Sequence, residues 1–192
     1  MEQIITQSLE LARRCKWEEG HSRQVTKLSL QLFDQLKPLH NLGDEERISL
    51  EAGAILHDIG FSQNEKSHHK LSRDIIVDAK ELAIGPIPRA IIALIARYHR
   101  KSLPKKSHKY YCDLDVKNKD IVNKLSAILR IADGLDRTHR GMVKDVECDI
   151  KPEQVIIRVD AQSESPEDRE AAQNKADLFE KISNRKVIIE NL

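Results

Sequence analysis

The stretch AGAILHDIG, residues 52–60, governs the reading of the whole chain. Ile48, Ala52, Ile55, Leu56 and Ile59 recur at helical spacing, which predicts a helix opening at Gly43-Asp44 and running to about Ile59. Gly60 is the expected C-terminal cap. Two polar residues interrupt this apolar segment. His57 follows Gly53 and Ala54 at helical spacing, on a face of small residues, and Asp58 lies about 100° further round. A carboxylate on a buried face is costly unless it is paired or bound to a metal.

Outward from this segment the pattern stays helical. Residues 3–18 and 21–37 read as helices, the second carrying Val25, Leu28, Leu32 and Leu36 and stopped by Pro38. A polar loop spans 61–67, and helices follow at about 69–82 and 87–100, the latter with Pro88 in its first turn. A Pro- and Lys-rich loop covers 101–116, then a helix covers 118–133 with the stripe Ile121, Leu125, Ile128, Leu129 and Ala132. Trp17 and Phe33 are expected in the core. Beyond 142 the character changes. Val146–Ile150 and Gln154–Asp160 alternate as a hairpin, 166–183 return to helix, and KVIIE (186–190) closes as a strand. The expected fold is mainly α: a helical-bundle domain, 1–142, with a small ββαβ appendage, 143–192. The appendage is too small to hold its own core and should pack on the helices.

Composition narrows the function classes. The chain has 192 residues, 40% apolar and 33% charged, as in a soluble globular protein. No apolar run reaches the ~18 residues of a membrane span, and the N-terminus lacks the layout of a signal peptide. Cys15, Cys112 and Cys148 are few, odd in number and far apart, which suits a reducing cytoplasm and excludes a disulfide framework. Aromatics are only 4%, so nucleic-acid binding by base stacking is not expected. Net charge is +1, yet residues 97–109, RYHRKSLPKKSHK, hold six Lys or Arg and no acid. That run is either a solvated loop or a phosphate-attracting rim. No P-loop or G-x-S-x-G elbow occurs.

Other polar residues also fall on apolar stripes. His21 precedes Val25 and Leu28 at helical spacing, His99 follows Ile92 and Ile95, and Asp133 follows Leu125 and Leu129. Any one of them is explained by ordinary hydrogen bonding in a core. Together, from separate helices, they match the way helical proteins assemble metal sites. Imidazole and carboxylate without thiolate suit Mn, Fe, Co, Zn or Mg. His40, His108 and His139 have no such setting and read as surface residues.

The order His21, His57-Asp58, Asp133 resembles the HD metal-dependent phosphohydrolase superfamily. The resemblance rests on AGAILHDIG, on HSRQVTKLSLQLFDQL (21–36) and on LSAILRIADGLDRTHRG (125–141). With SHHKLSRDII (67–76), IARYHRKSLPKKSH (95–108) and NKADLFEKISNRKVII (174–189), the chain is similar to the C-terminal region of the exopolyphosphatase/guanosine-pentaphosphatase family. Members of that family carry an N-terminal actin-like portion that houses their phosphatase chemistry. Nothing in these 192 residues resembles it, so exopolyphosphatase activity is not expected to carry over. Leu71 stands where the family often has a further histidine.

The resemblance implies an HD-domain bundle with His21, His57, Asp58 and Asp133 around one divalent ion. Asp58 would bridge to a second ion completed by His68 and His99, with His69 as the rival of His68. It assigns the catalytic pair to His57 and Asp58. Arg100, Lys101, Arg137 and Arg140, and less strongly Lys70, would contact phosphate. The implied activity is metal-dependent hydrolysis of a small, highly charged phosphorylated compound such as a nucleotide, guanosine polyphosphate or polyphosphate. The alternative is a non-catalytic module for polyphosphate binding, regulation or dimerisation. A cytoplasmic homodimer is the implied state.

Overall fold

The computed structural model of the chain describes residues 2–163 and 165–192. The elements in order are α1 (Glu2–Arg14), α2 (Glu19–Gln35), α3 (Lys37–His40), α4 (Asp44–Leu56), α5 (His68–Asp78), α6 (Pro86–Tyr98), α7 (Val116–Gly134), β1 (Val143–Ile150), β2 (Gln154–Ala161), α8 (Pro166–Lys175), α9 (Asp177–Ser183) and β3 (Lys186–Asn191). The chain is therefore mainly helical, with one three-stranded sheet near its C-terminus. Among the described residues no helix is long and apolar enough to cross a membrane.

Helix α7 is the axis of the bundle. Asp115 caps its start by accepting the Asn118 N–H at 2.7 Å. From Leu125 to Gly134 every residue is buried, because α2, α4 and α6 surround the helix on the core side and α8 and α9 cover the rest. Val25, Leu28 and Leu32 of α2 and Leu94 and Ile95 of α6 pack in the same apolar cluster as Leu125 and Ile128.

The C-terminal sheet shares that cluster through Val146, Val155, Ile157 and Val187. β1 and β2 pair antiparallel, Cys148 opposite Ile157, and β2 pairs in parallel with β3, Ile157 beside Ile189. The parallel return requires the crossover that α8 and α9 provide. α8 lies against α7 at Gly134, where an added Cβ would stand 2.6 Å from Ala172 N.

Several local expectations change. Pro38 does not simply stop α2, which ends at Gln35. It sits in the first turn of α3, where its missing N–H costs nothing. The helix carrying His57 ends at Leu56, so the HD pair stands in the turn beyond it. Gly60 is not a cap. It is required for close approach, since a Cβ there would lie 2.7 Å from His68 O and from Leu71 Cβ. The single helix expected over 166–183 is two, broken at Ala176. Trp17 is only half-buried, while Phe33 is in the core.

His40 is not a surface residue but 5% exposed. Its Nε2–H donates to Phe33 O at 2.8 Å, and its Nδ1 accepts the Leu42 N–H at 2.9 Å. Only the neutral ring can do both. Burial first, and then Lys124 and Lys37, push its pKa below the ordinary histidine value. A base with a lowered folded pKa stabilises the fold fully above its unfolded pKa, and that stability is lost as pH falls towards the folded pKa. We expect the denaturation midpoint to drop more between pH 7.5 and 5.5 in wild type than in His40→Gln. Equal drops in the two proteins would contradict this.

Candidate metal centre

The site gathers where helix ends meet. His57 follows the last residue of α4 and His99 the last residue of α6. His68 opens α5, His21 lies in the first turn of α2, and Asp133 in the last turn of α7. A helix end leaves carbonyls without intrahelical donors. In AILH and ARYH a histidine three residues on meets that need: His57 Nδ1–H donates to Ala54 O at 2.7 Å and His99 Nδ1–H to Ala96 O at 2.6 Å. His68 Nδ1–H donates to Glu65 O at 2.7 Å, and His21 Nδ1 bonds Asp136 Oδ2 at 2.8 Å.

These bonds commit every Nδ1 outward and turn every Nε2 inward. The Nε2 atoms of His21 and His57 are 3.2 Å apart, as are those of His68 and His99. Two lone pairs at that distance repel unless a proton or a cation lies between them. Asp58 stands between the two pairs. Its Oδ1 is 3.1 Å from His68 Nε2 and 3.3 Å from His99 Nε2, while its Oδ2 is 3.6 Å from His57 Nε2. Asp133 Oδ1 is 3.4 Å from His21 Nε2 and 3.9 Å from His57 Nε2. Two groups follow: His21, His57 and Asp133; and Asp58, His68 and His99.

The residues fit a divalent ion. Ligands about 2.0–2.2 Å from one ion stand roughly 3–3.6 Å from each other, close to the separations here. Asp58 Oδ1 is buried and accepts no hydrogen bond, because both nearby imidazoles carry their protons on Nδ1. An ionised buried oxygen without a donor is costly unless a cation pairs with it. The outer carbonyls and Asp136 fix tautomer and ring orientation, as outer partners of metal-binding histidines do.

Electrostatics follow the same geometry. Burial pushes the pKa values of His57 and His99 down, so both are neutral and available as ligands. Burial opposes charge on His21 too, but Asp133 and Asp136 outweigh it and raise its pKa to about 10. Burial alone would raise Asp58 and Asp133. Lys175, together with His21, holds the Asp133 carboxylate well below its usual range.

The site opens into a cavity of about 260 Å³. Arg100, Lys101 and Arg137 line it, and Arg100 Nη1 lies 3.2 Å from His68 Nε2. Two expected phosphate contacts are elsewhere. Arg140 is exposed, its Nε 3.3 Å from Thr138 Oγ1, and Lys70 lines a neighbouring cavity. His69, buried like His68, faces that second cavity. Burial, and then Arg97, lower its pKa to about 3.

Sequence reasoning missed four residues. Asp136 is buried beside His21 and also accepts the Gly141 N–H at 2.8 Å. Its signal was its place one turn after Asp133. His139 and His108 are half-buried and held by neighbours, not free on the surface. His139 stacks on His21 with ring centroids 3.7 Å apart, and half-buried His108 bonds Tyr98 Oη at 2.9 Å. Lys175 ion-pairs with Asp133 from α8 and lines the cavity. Nothing local marks it, since packing of α8 on α7 alone brings it there.

A family model described as Ppx/GppA phosphatase, domain III, matches residues 6–180. No curated protein matches the chain.

Proposed function

The chain belongs to the Ppx/GppA phosphatase domain III family, and from that premise we propose that it is a metal-dependent phosphohydrolase with an HD-type site. The substrate class is a small, highly charged phosphorylated compound: a nucleotide, a guanosine polyphosphate or a short polyphosphate. One observation carries the reading. The imidazoles of His57, His68 and His99 commit Nδ1–H to backbone carbonyls and, with His21, turn their Nε2 atoms onto two buried carboxylates, one of which has a buried oxygen with no donor.

His21, His57 and Asp133 would hold one ion, and His68 and His99 a second, with Asp58 spanning both. A divalent ion supplies Lewis acidity and acidifies bound water at such sites. The chain's own residues do the rest. Arg100, Arg137 and Lys101 line the cavity as donors for phosphoryl oxygens. Lys175 neutralises the outer oxygen of Asp133. Asp136 holds His21 in the orientation that directs Nε2 inward.

A second reading has its own support. A basic cavity beside the site suits a polyanion-binding or regulatory module that turns nothing over. Homodimerisation, implied by the family resemblance, fits either reading. Metal content of the purified protein, followed by phosphate release from nucleotides, guanosine polyphosphate and polyphosphate with Mn, Fe, Co, Zn or Mg, separates them. We expect one or two ions per chain and metal-dependent release. A protein that takes up none of these metals would sink the enzyme reading.

A further inference from the structure

The start of α5 divides two cavities. His68 faces the metal site, and His69 faces a cavity of about 480 Å³, within the range of small-ligand sites. Lys66, Lys70, Arg73, Arg97, Lys101 and Lys109 line this second cavity, and no carboxylate among the described residues does. Some of these cations have partners. Arg73 is held by Asp74 at 2.9 Å, Lys101 Nζ donates to Lys66 O at 2.8 Å, and Lys109 Nζ stands 4.5 Å above the Tyr110 ring.

Arg97 differs. It is only 6% exposed and forms no ion pair among the described residues, and its Nη1 is buried with no acceptor. His69, 2% exposed, likewise has a buried Nδ1 without a partner. A guanidinium cannot shed its proton to escape burial, so an unpaired one is costly. The Tyr98 ring 5.5 Å away does not neutralise it, and that hydroxyl is taken by His108. An anion with several acceptor oxygens would pair with the Arg97 guanidinium.

We propose that this cavity binds the phosphoryl group of a small free compound, with Arg97 as its buried anchor, His69 as a neighbouring donor, and Lys70 and Lys109 at the rim. A tetrahedral oxyanion satisfies a planar guanidinium and several amines at once, which a single carboxylate cannot. The site is separate from the metal centre and holds whether or not that centre carries metal.

The test uses the full chain stripped of metal by chelation. Inorganic phosphate, pyrophosphate and ADP are titrated calorimetrically into wild type, Arg97→Gln and the exposed pair Lys70→Ala with Lys109→Ala. We expect saturable, salt-sensitive binding by wild type of at least one of the three. Arg97→Gln should weaken it about tenfold or more, and the rim pair by a few-fold. Preference for pyrophosphate identifies an inorganic ligand, and preference for ADP a nucleotide; either supports the site. Metal content of Arg97→Gln should equal that of wild type, so failure here and failure of the metal reading are distinguishable. Absence of saturable binding by wild type overturns the proposal. So does equal affinity in wild type and both variants. Should Arg97→Gln not fold, unchanged affinity in the rim pair is decisive against it.

Discussion

Asp58→Ala is expected to abolish metal uptake and the proposed phosphohydrolase activity while keeping the fold. Among the described residues Asp58 is the one carboxylate that reaches both imidazole pairs, with Oδ1 towards His68 and His99 and Oδ2 towards His57. Losing an outer partner of a metal ligand costs about 10–100-fold in affinity. Losing the shared carboxylate should exceed that, and turnover should fall to background. The fold should survive, because Asp58 Oδ1 accepts no hydrogen bond that the core depends on. Elemental analysis and thermal melting of wild type and variant, each stripped and reloaded, provide the check. Metal retained in Asp58→Ala would remove this residue from the site. Loss of cooperative melting in the stripped variant would mean that Asp58 has a structural role instead.

Gly134→Ala should destabilise the protein, with a sign opposite to that of the same change on an open helix. In a solvent-exposed helix interior, Gly→Ala gains roughly 0.5–1 kcal/mol. At Gly134 the new Cβ would stand 2.6 Å from Ala172 N and 3.0 Å from Ala171 C. Those are backbone atoms of α8 and cannot rotate away. Overpacking of this kind costs about 1–3 kcal/mol, and a chain of this length loses roughly 2–4 °C of Tm per kcal/mol. We expect a Tm lower by about 2–12 °C. A second consequence is local. Pushing α8 outward moves Lys175 away from Asp133, so the variant should also show altered metal affinity. An unchanged or higher Tm would mean that α8 does not press on α7 at this point.

Both results turn on the same feature of the chain. Its site is made at helix ends, and its C-terminal segment closes over one of them. The helices themselves were legible in the sequence. The stripes around Val25, Ile55, Ile95 and Leu129 placed four helices within a few residues, because an apolar period of 3.6 leaves one stable way to bury them. The alternation in Val146–Ile150 and Gln154–Asp160 marked the hairpin, and KVIIE the third strand. His21, His57, Asp58, His99 and Asp133 stood out because polar groups interrupted those stripes. In AILH and ARYH the sequence also carries the bond that sets each tautomer, since that bond joins residues three apart.

Long-range packing alone decided the rest. Whether His68 or His69 faces Asp58 depends on how α5 meets the turn at Gly60, an approach set by contacts with His68 O and Leu71. Two adjacent histidines on a helix start look alike in sequence, yet they project about 100° apart and so enter different cavities. Asp136, His139 and Lys175 join the site from the turn after α7 and from α8. Arg97 reads as one more basic residue in a charged run, and only the fold buries it. The sequence by itself determined the helices, the strands and the polar residues that burial must satisfy, because those follow from periodicity and desolvation along the chain. Only the tertiary structure decided which of these residues share a cavity, because that depends on helix ends up to 154 positions apart, His21 to Lys175, meeting in space.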